Sequence, residues 1–172
     1  HGIHLIFLLP KARHGLFGNH ITYISSEHRK EEAKRLDIHI DLWHATDQLF
    51  HYRRHARGTI QLLTIHDLNF LWEKFGVHRL RHILQMQWRI KHSDYLTSIS
   101  NFVREDILTQ YPSACKKGID VIYNGVNDDV YGEKERPPFV SSDNERFFFT
   151  IGQIRKKKNF RLLVPMMRYF PQ

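Results

Sequence analysis

Short apolar runs recur along this chain between longer amphipathic stretches, and that alternation restricts its fold more than any other feature. The runs occupy residues 3–9, 21–24, 40–43, 60–65, 95–99, 119–123 and 147–151. Runs of this length read as strands, and intervals with helical periodicity read as the crossovers of βαβ units. Val77, Leu80, Leu84 and Trp88 fall three or four residues apart, which predicts a helix over 76–92 with that stripe buried. His78, Arg79, Arg81, His82, Arg89 and Lys91 then occupy its other face. A second helix is expected after Ser100, a good N-cap, with Glu105 and Asp106 near its positive end and Val103, Ile107 and Tyr111 facing inward. Tyr111-Pro112 stops it. The expected fold class is α/β.

Composition narrows the class further. Of 172 residues, 41% are apolar and 26% charged, the balance of a globular chain. The longest apolar run, residues 3–10, is interrupted by His4 and falls far short of the roughly 20 residues that a membrane-spanning helix needs. The chain opens on His1, and residues 3–9 read as a strand rather than a signal peptide, so its start is expected to lie inside a longer gene. The single Cys115 excludes an internal disulfide and a thiolate-rich zinc site, which fits a reducing, cytoplasmic setting. Subtracting 18 acidic from 26 basic residues leaves +8, which draws the chain toward an anion: a nucleotide, a nucleic acid or an acidic membrane surface.

The periodic pattern breaks over residues 124–145, where Asn-Gly, Pro-Pro and paired serines intervene. Residues 1–126 are therefore expected to form one domain and 127–145 a linker. Residues 146–172 would begin a second domain with a strand, Gly152, a basic turn and a helix from Asn159 to about Tyr169.

Three segments carry chemistry. In residues 59–69 an apolar strand runs out into His66-Asp67, and open α/β sheets bind ligands beyond the carboxyl ends of their strands. Equally, Asp67 reads as a cap for the next turn with His66 packed on it. In residues 95–104 a strand passes into a helix whose first amides are unpaired, with Ser100 either at the mouth of a site or simply capping. In residues 149–160 a strand ends at Gly152 and the run Arg155-Lys-Lys-Lys158 leads toward a helix N-terminus, a setting suited to a diphosphate or, more blandly, a solvated charge run. His78 and His82 lie one turn apart without a third ligand at suitable spacing, so no metal is expected. His51 and His55 read as parts of a basic loop over residues 51–57.

Together these segments resemble glycosyltransferase family 4 of the GT-B enzymes. The resemblance is carried by Asp-Leu-Trp-His-Ala-Thr at 41–46, Leu-Thr-Ile-His-Asp-Leu-Asn-Phe-Leu at 63–71 and His-Ser-Asp-Tyr-Leu-Thr-Ser-Ile-Ser-Asn-Phe-Val at 92–103. It continues in Asp-Val-Ile-Tyr-Asn-Gly-Val at 120–126 and Ile-Gly-Gln-Ile-Arg-Lys-Lys-Lys-Asn-Phe at 151–160. It implies most of an N-terminal Rossmann-like domain and the first β-α unit of a C-terminal one, facing across a cleft. His66 would lie by the donor sugar with Asp67 beside it, Gly152 near the donor diphosphate and Lys158 bound to it. Gln153, Arg155 and Asn159 complete the implied donor side; His44, Ser100, Asn124 and Gly125 fall in the segments assigned to the substrate side. Gln153 stands where many relatives carry arginine, and Arg155 is two positions on. The acidic Glu-x7-Glu region of the family's second domain does not appear before Gln172, so the chain is expected to be an inactive piece of a larger enzyme.

The resemblance implies a retaining transferase that needs no cofactor or metal. It would move a hexose, with mannose from a GDP-sugar as the named candidate, to a polysaccharide or lipid-linked acceptor. A peripheral contact with an anionic membrane would draw on the basic helix and loop, and no nucleic acid is expected. The competing class is a non-catalytic basic α/β module that binds nucleic acid or another polyanion through the +8 charge and Trp43, Phe50, Tyr52 and Trp72.

Overall fold

The computed structural model describes residues 2–28, 31, 39–49, 58–126, 138, 147 and 149–169. The chain divides into two units, His1–Gly125 and Val126–Gln172. In the first unit, β1 (Ile6–Leu9) and β2 (Thr22–Ser25) pair in parallel as a two-stranded sheet, with Ile6 opposite Thr22. The connection between them folds back onto the strands through aromatic contacts. Phe7 meets Phe17 edge-on at 5.1 Å, while the Tyr23 hydroxyl accepts from the Phe17 N–H at 2.9 Å and donates to the Gly18 carbonyl at 3.0 Å. Past the carboxyl ends, the Ser25 hydroxyl and the Lys11 N–H both donate to Glu27. These donors, Ser25 foremost, hold the Glu27 carboxyl below its ordinary range.

The larger sheet contains β3 (Leu42–Ala45), β4 (Ile60–Ile65), β5 (Tyr95–Ser98) and β6 (Asp120–Val121), adjacent in that order and all parallel. Leu63 pairs with Ala45 on one side and Leu96 on the other. Helices α1 (Phe70–Glu73) and α2 (Gly76–His92) lie in the crossover from β4 to β5, and α3 (Asn101–Gln110) in that from β5 to β6. Because side chains alternate along a strand, Leu63 and Ile65 share one face. There they enter a core with Ala45, Leu96, Met86, Ile90, Val103, Ile107 and Tyr111. The opposite face is open: Leu42, Ile60 and Tyr95 are 49%, 39% and 56% exposed. A polar ladder crosses it, with His44 Nε2 hydrogen-bonded to Thr64 Oγ1 at 2.7 Å and Thr64 Oγ1 to Thr97 Oγ1 at 2.8 Å.

Several expected elements shift. The strand expected at 40–43 occupies 42–45; just before it, the Ile40 carbonyl accepts the Thr59 hydroxyl and the Asp41 carbonyl accepts the Ile60 N–H as the chain enters the sheet. The helix over 76–92 forms as read, but with its faces exchanged. It buries Met86 and Ile90 against the core, and the stripe Val77, Leu80, Leu84 and Trp88 is exposed. The expected strand at 147–151 is not a strand at residues 147, 149, 150 and 151. A strand needs a neighbour for its backbone groups, and no strand is found among the described residues of the second unit. The expected helix from Asn159 breaks into 3-10 turns at Lys156–Lys158, Phe160–Leu162 and Met167–Tyr169 around a four-residue α4 (Leu163–Met166). The basic loop at 51–57 and the linker at 127–145, apart from residue 138, lie outside the described residues. Among the described residues no helix is long and apolar enough to cross a membrane.

Candidate functional site

Since β3 to β6 run parallel, their carboxyl ends open at one edge, where backbone groups beyond the last rung of the ladder must find other partners. At the end of β4 that partner is a side chain from the neighbouring strand's exit. The Gln48 Oε1 accepts the His66 N–H at 2.9 Å, and its Nε2 donates to the Asp67 carbonyl at 3.1 Å. Gln48 is only 6% exposed, so this amide replaces solvent for two main-chain groups.

A separate contact holds the imidazole. His66 Nε2 lies 2.9 Å from the Thr46 carbonyl, which only accepts; Nε2 therefore carries the hydrogen, and Nδ1 is the acceptor of the neutral ring. Asp67 turns the other way. Its Oδ1 accepts the Asn69 N–H at 3.0 Å and closes the turn that leads into α1, while Leu68, Phe70 and Leu71 sink into the core and anchor it. The cap reading thus describes the Asp67 side chain, whereas His66 stays half-buried at the sheet edge.

Ser100, at the end of β5, accepts the Val103 N–H at 3.2 Å and caps α3, with its carbonyl held by the Ser98 hydroxyl. After β6 the Ile122 N–H donates to the Ser98 carbonyl at 2.9 Å, the Asn101 amide donates to the Tyr123 hydroxyl at 3.2 Å, and Asn124 and Gly125 continue exposed. His44 is not at this edge. It points onto the open face, where desolvation pushes its imidazole below the ordinary value. The edge thus gathers His66, Asp67, Ser100 and the Asn124-Gly125 segment around strand exits, with His44 one strand residue back.

In the second unit, Gly152 has φ of 127°, a conformation that disfavours any side chain, and Gln153, Arg155, Lys158 and Asn159 are exposed. The three lysines form one 3-10 turn closed by Asn159 in the left-handed conformation. Among the described residues no group of three or more His, Cys, Asp or Glu is placed to hold a metal ion.

Gln48 escaped the sequence reading. The logic that singled out polar residues after β4 applies equally to Thr46, Asp47 and Gln48 after β3 and would have marked that exit, without showing which main-chain groups Gln48 holds.

A family model described as Glycosyltransferase Family 4 matches residues 3–130, which takes in every strand of the parallel sheet. The chain belongs to glycosyltransferase family 4. Its helix-backed parallel sheet is that of a Rossmann-like glycosyltransferase domain, and a sugar donor and a sugar acceptor follow from that membership in general terms. The family match includes His66, Asp67, Ser100, Asn124 and Gly125 and ends before Gly152. No curated protein matches this glycosyltransferase chain, and no solved structure does.

Proposed function

We propose that the described sheet edge is the acceptor-side half of a retaining, metal-independent GT-B enzyme. The enzyme would transfer a hexose, mannose from a GDP-sugar being our first choice, to a polysaccharide or lipid-linked acceptor on the cytoplasmic side. Residues 1–126 form its acceptor-side domain, 127–145 its linker and 146–172 the start of its donor domain. The observation that carries this reading is the His66 ring, held at the carboxyl end of β4 by the Thr46 carbonyl and by the Gln48 clamp on its main chain. A ring fixed before substrate arrives costs little to organise at the reacting centre.

In the proposed transfer the bond from the anomeric carbon to the diphosphate oxygen breaks and a bond to the acceptor hydroxyl oxygen forms. The hydroxyl proton leaves with the nucleoside diphosphate. Charge grows on that leaving group as the bond breaks, so fixed cations lower the barrier by holding the transition state more tightly than the ground state. Lys158 and Arg155 are assigned to this role. Gly152, Gln153 and Asn159 are assigned to the backbone that approaches the diphosphate, and His44, Ser100, Asn124 and Gly125 to the substrate side.

The test is a screen of nucleotide sugars for binding and turnover by the protein that contains this chain, repeated with His66→Ala and Lys158→Ala. Lys158→Ala is expected to lower donor turnover by about 10²- to 10³-fold, the scale for one fixed partner of a developing charge. His66→Ala is expected to reduce turnover without loss of folding. Unchanged donor affinity and turnover in both variants would overturn the assignment.

A further inference from the structure

Helix α2 carries a polar face between its core stripe and its exposed one. At 3.6 residues per turn, His82, Gln85 and Arg89 fall within about 60° of one another, beside the buried Met86. All three are half-buried, and with Gln48, Phe70 and Met86 they line a hollow where the helix passes the exit of β3. The hollow has room for about one water-sized particle. Phe70 packs on the His82 ring at 5.6 Å between centroids. Among the described residues, none of the three side chains makes a hydrogen bond or an ion pair within the protein.

Arg89 makes that arrangement costly. A guanidinium is not deprotonated in proteins, so its partial burial calls for a counter-charge. Burial pushes its pKa below the ordinary value, and Asp47, the smaller influence, pulls the other way. Asp47 does not close an ion pair with it, and its Oδ1 accepts the Leu49 N–H at 2.5 Å. Asp67, on the far side of Gln48, is turned toward the Asn69 N–H. The helix itself adds Arg79, Arg81 and Lys91 and no carboxylate.

Size and charge select the occupant. Arg89 repels a metal cation, and a sugar ring or a diphosphate is larger than the hollow. A water would meet the polar groups and leave the charge unmet. A monovalent anion meets both, since the guanidinium has five N–H donors, the Gln85 amide has two, and the anion only accepts.

We propose that this hollow binds one small inorganic anion of the size and charge of chloride, between Arg89, Gln85 and His82. The anion lies behind Gln48, whose amide holds the His66 N–H and the Asp67 carbonyl, so its binding braces that clamp from the helix side. The site uses none of the residues assigned to transfer, so it stands or falls independently of donor chemistry.

The experiment titrates the full chain with sodium chloride against sodium gluconate at constant ionic strength, read by thermal unfolding and by amide NMR. Chloride should raise the melting temperature along a saturating curve, as a ligand of the folded state does. The Gln48 side-chain and His66 main-chain resonances should move with the same midpoint, and crystals soaked in bromide should show an anomalous peak at Arg89. Arg89→Gln should weaken chloride binding by at least about tenfold, the scale of a hydrogen bond to a charged group. Arg79→Gln, which removes an exposed cation of the same helix, should leave it unchanged. If Arg89→Gln does not fold, the bromide peak and the broadening of the chloride NMR signal by the unsubstituted chain decide in its place. Four results overturn the proposal: chloride and gluconate acting alike, Arg89→Gln responding to chloride as the unsubstituted chain does, bromide peaks that avoid Arg89, or chloride-dependent shifts that leave Gln48 and His66 unmoved.

Discussion

Residues 59–69 and residues 149–160 begin alike, each with a run that includes threonine and isoleucine and gives way to polar residues, yet they fold differently. In the first, neighbours on both sides complete the ladder of β4, Ile65 is fully buried, and the exit turn is clamped by Gln48. In the second, Ile151 is 85% exposed, no strand forms at its described residues, and the cations sit on a short 3-10 turn. A rigid strand exit is therefore a property of the sheet around it, since the local run supplies only the apolar face that a sheet can use.

The largest expected effect tests that contrast directly. Ile65→Ala should cost about 2–5 kcal/mol of unfolding free energy, as deletion of a buried isoleucine side chain does. Ile151→Ala should stay within about 0.5 kcal/mol, as at other exposed positions. Denaturant titration of both variants measures the difference, and equal costs would break the comparison.

A middle-sized effect isolates the clamp. Gln48→Ala leaves the His66 N–H and the Asp67 carbonyl without their side-chain partner and should cost about 1–3 kcal/mol. It should also move the His66 ring resonances in an NMR spectrum. Gln153→Ala, at an exposed site, should leave stability unchanged. If Gln48→Ala moves neither stability nor the ring, His66 is positioned by the Thr46 carbonyl alone.

The smallest effect concerns a weakness within the better-built unit. The Tyr111 hydroxyl is buried with no hydrogen-bond partner among the described residues. Burial first, and Asp106 second, push its pKa from 10.0 up to about 12. The folded state thus keeps a proton that the unfolded chain releases as the pH passes 10, so stability should fall between pH 10 and about 12. Tyr111→Phe should flatten that decline and change stability at neutral pH by less than about 1 kcal/mol, because it removes an unmet polar group with little change of shape. Thermal melts across this pH range read both effects.

The legible parts of the fold are those where local pattern and tertiary surroundings agree. β4 spans the residues its apolar run marks, and α3 starts at the Ser100 cap with Val103, Ile107 and Tyr111 inward as their spacing requires. α2 was legible in extent and misleading in orientation. Its regular stripe at Val77, Leu80, Leu84 and Trp88 outshines the sparser Ile83, Met86 and Ile90, and periodicity alone cannot say which of two apolar faces meets the sheet. At the site, His66 was visible as the polar residue after a strand. Gln48 acts through main-chain groups 18 and 19 residues away, a pairing that only the folded register of β3 against β4 reveals.

The polar ladder on the open face links three strands through one line of shared hydrogens. Each hydroxyl can donate only once, so the direction in which Thr64 offers its hydrogen is tied to Thr97 on one side and to the His44 tautomer on the other. With Nε2 bare, Thr64 must donate to the ring and Thr97 in turn donates to Thr64, so the whole line runs from β5 to β3. With a proton on Nε2 the ring donates to Thr64, whose own hydrogen is then released to turn toward Thr97. A single imidazole on an outer strand thereby fixes or frees the polarity of a hydroxyl two strands away, and desolvation, which favours the neutral ring, extends to lower pH the range in which a bare Nε2 is available.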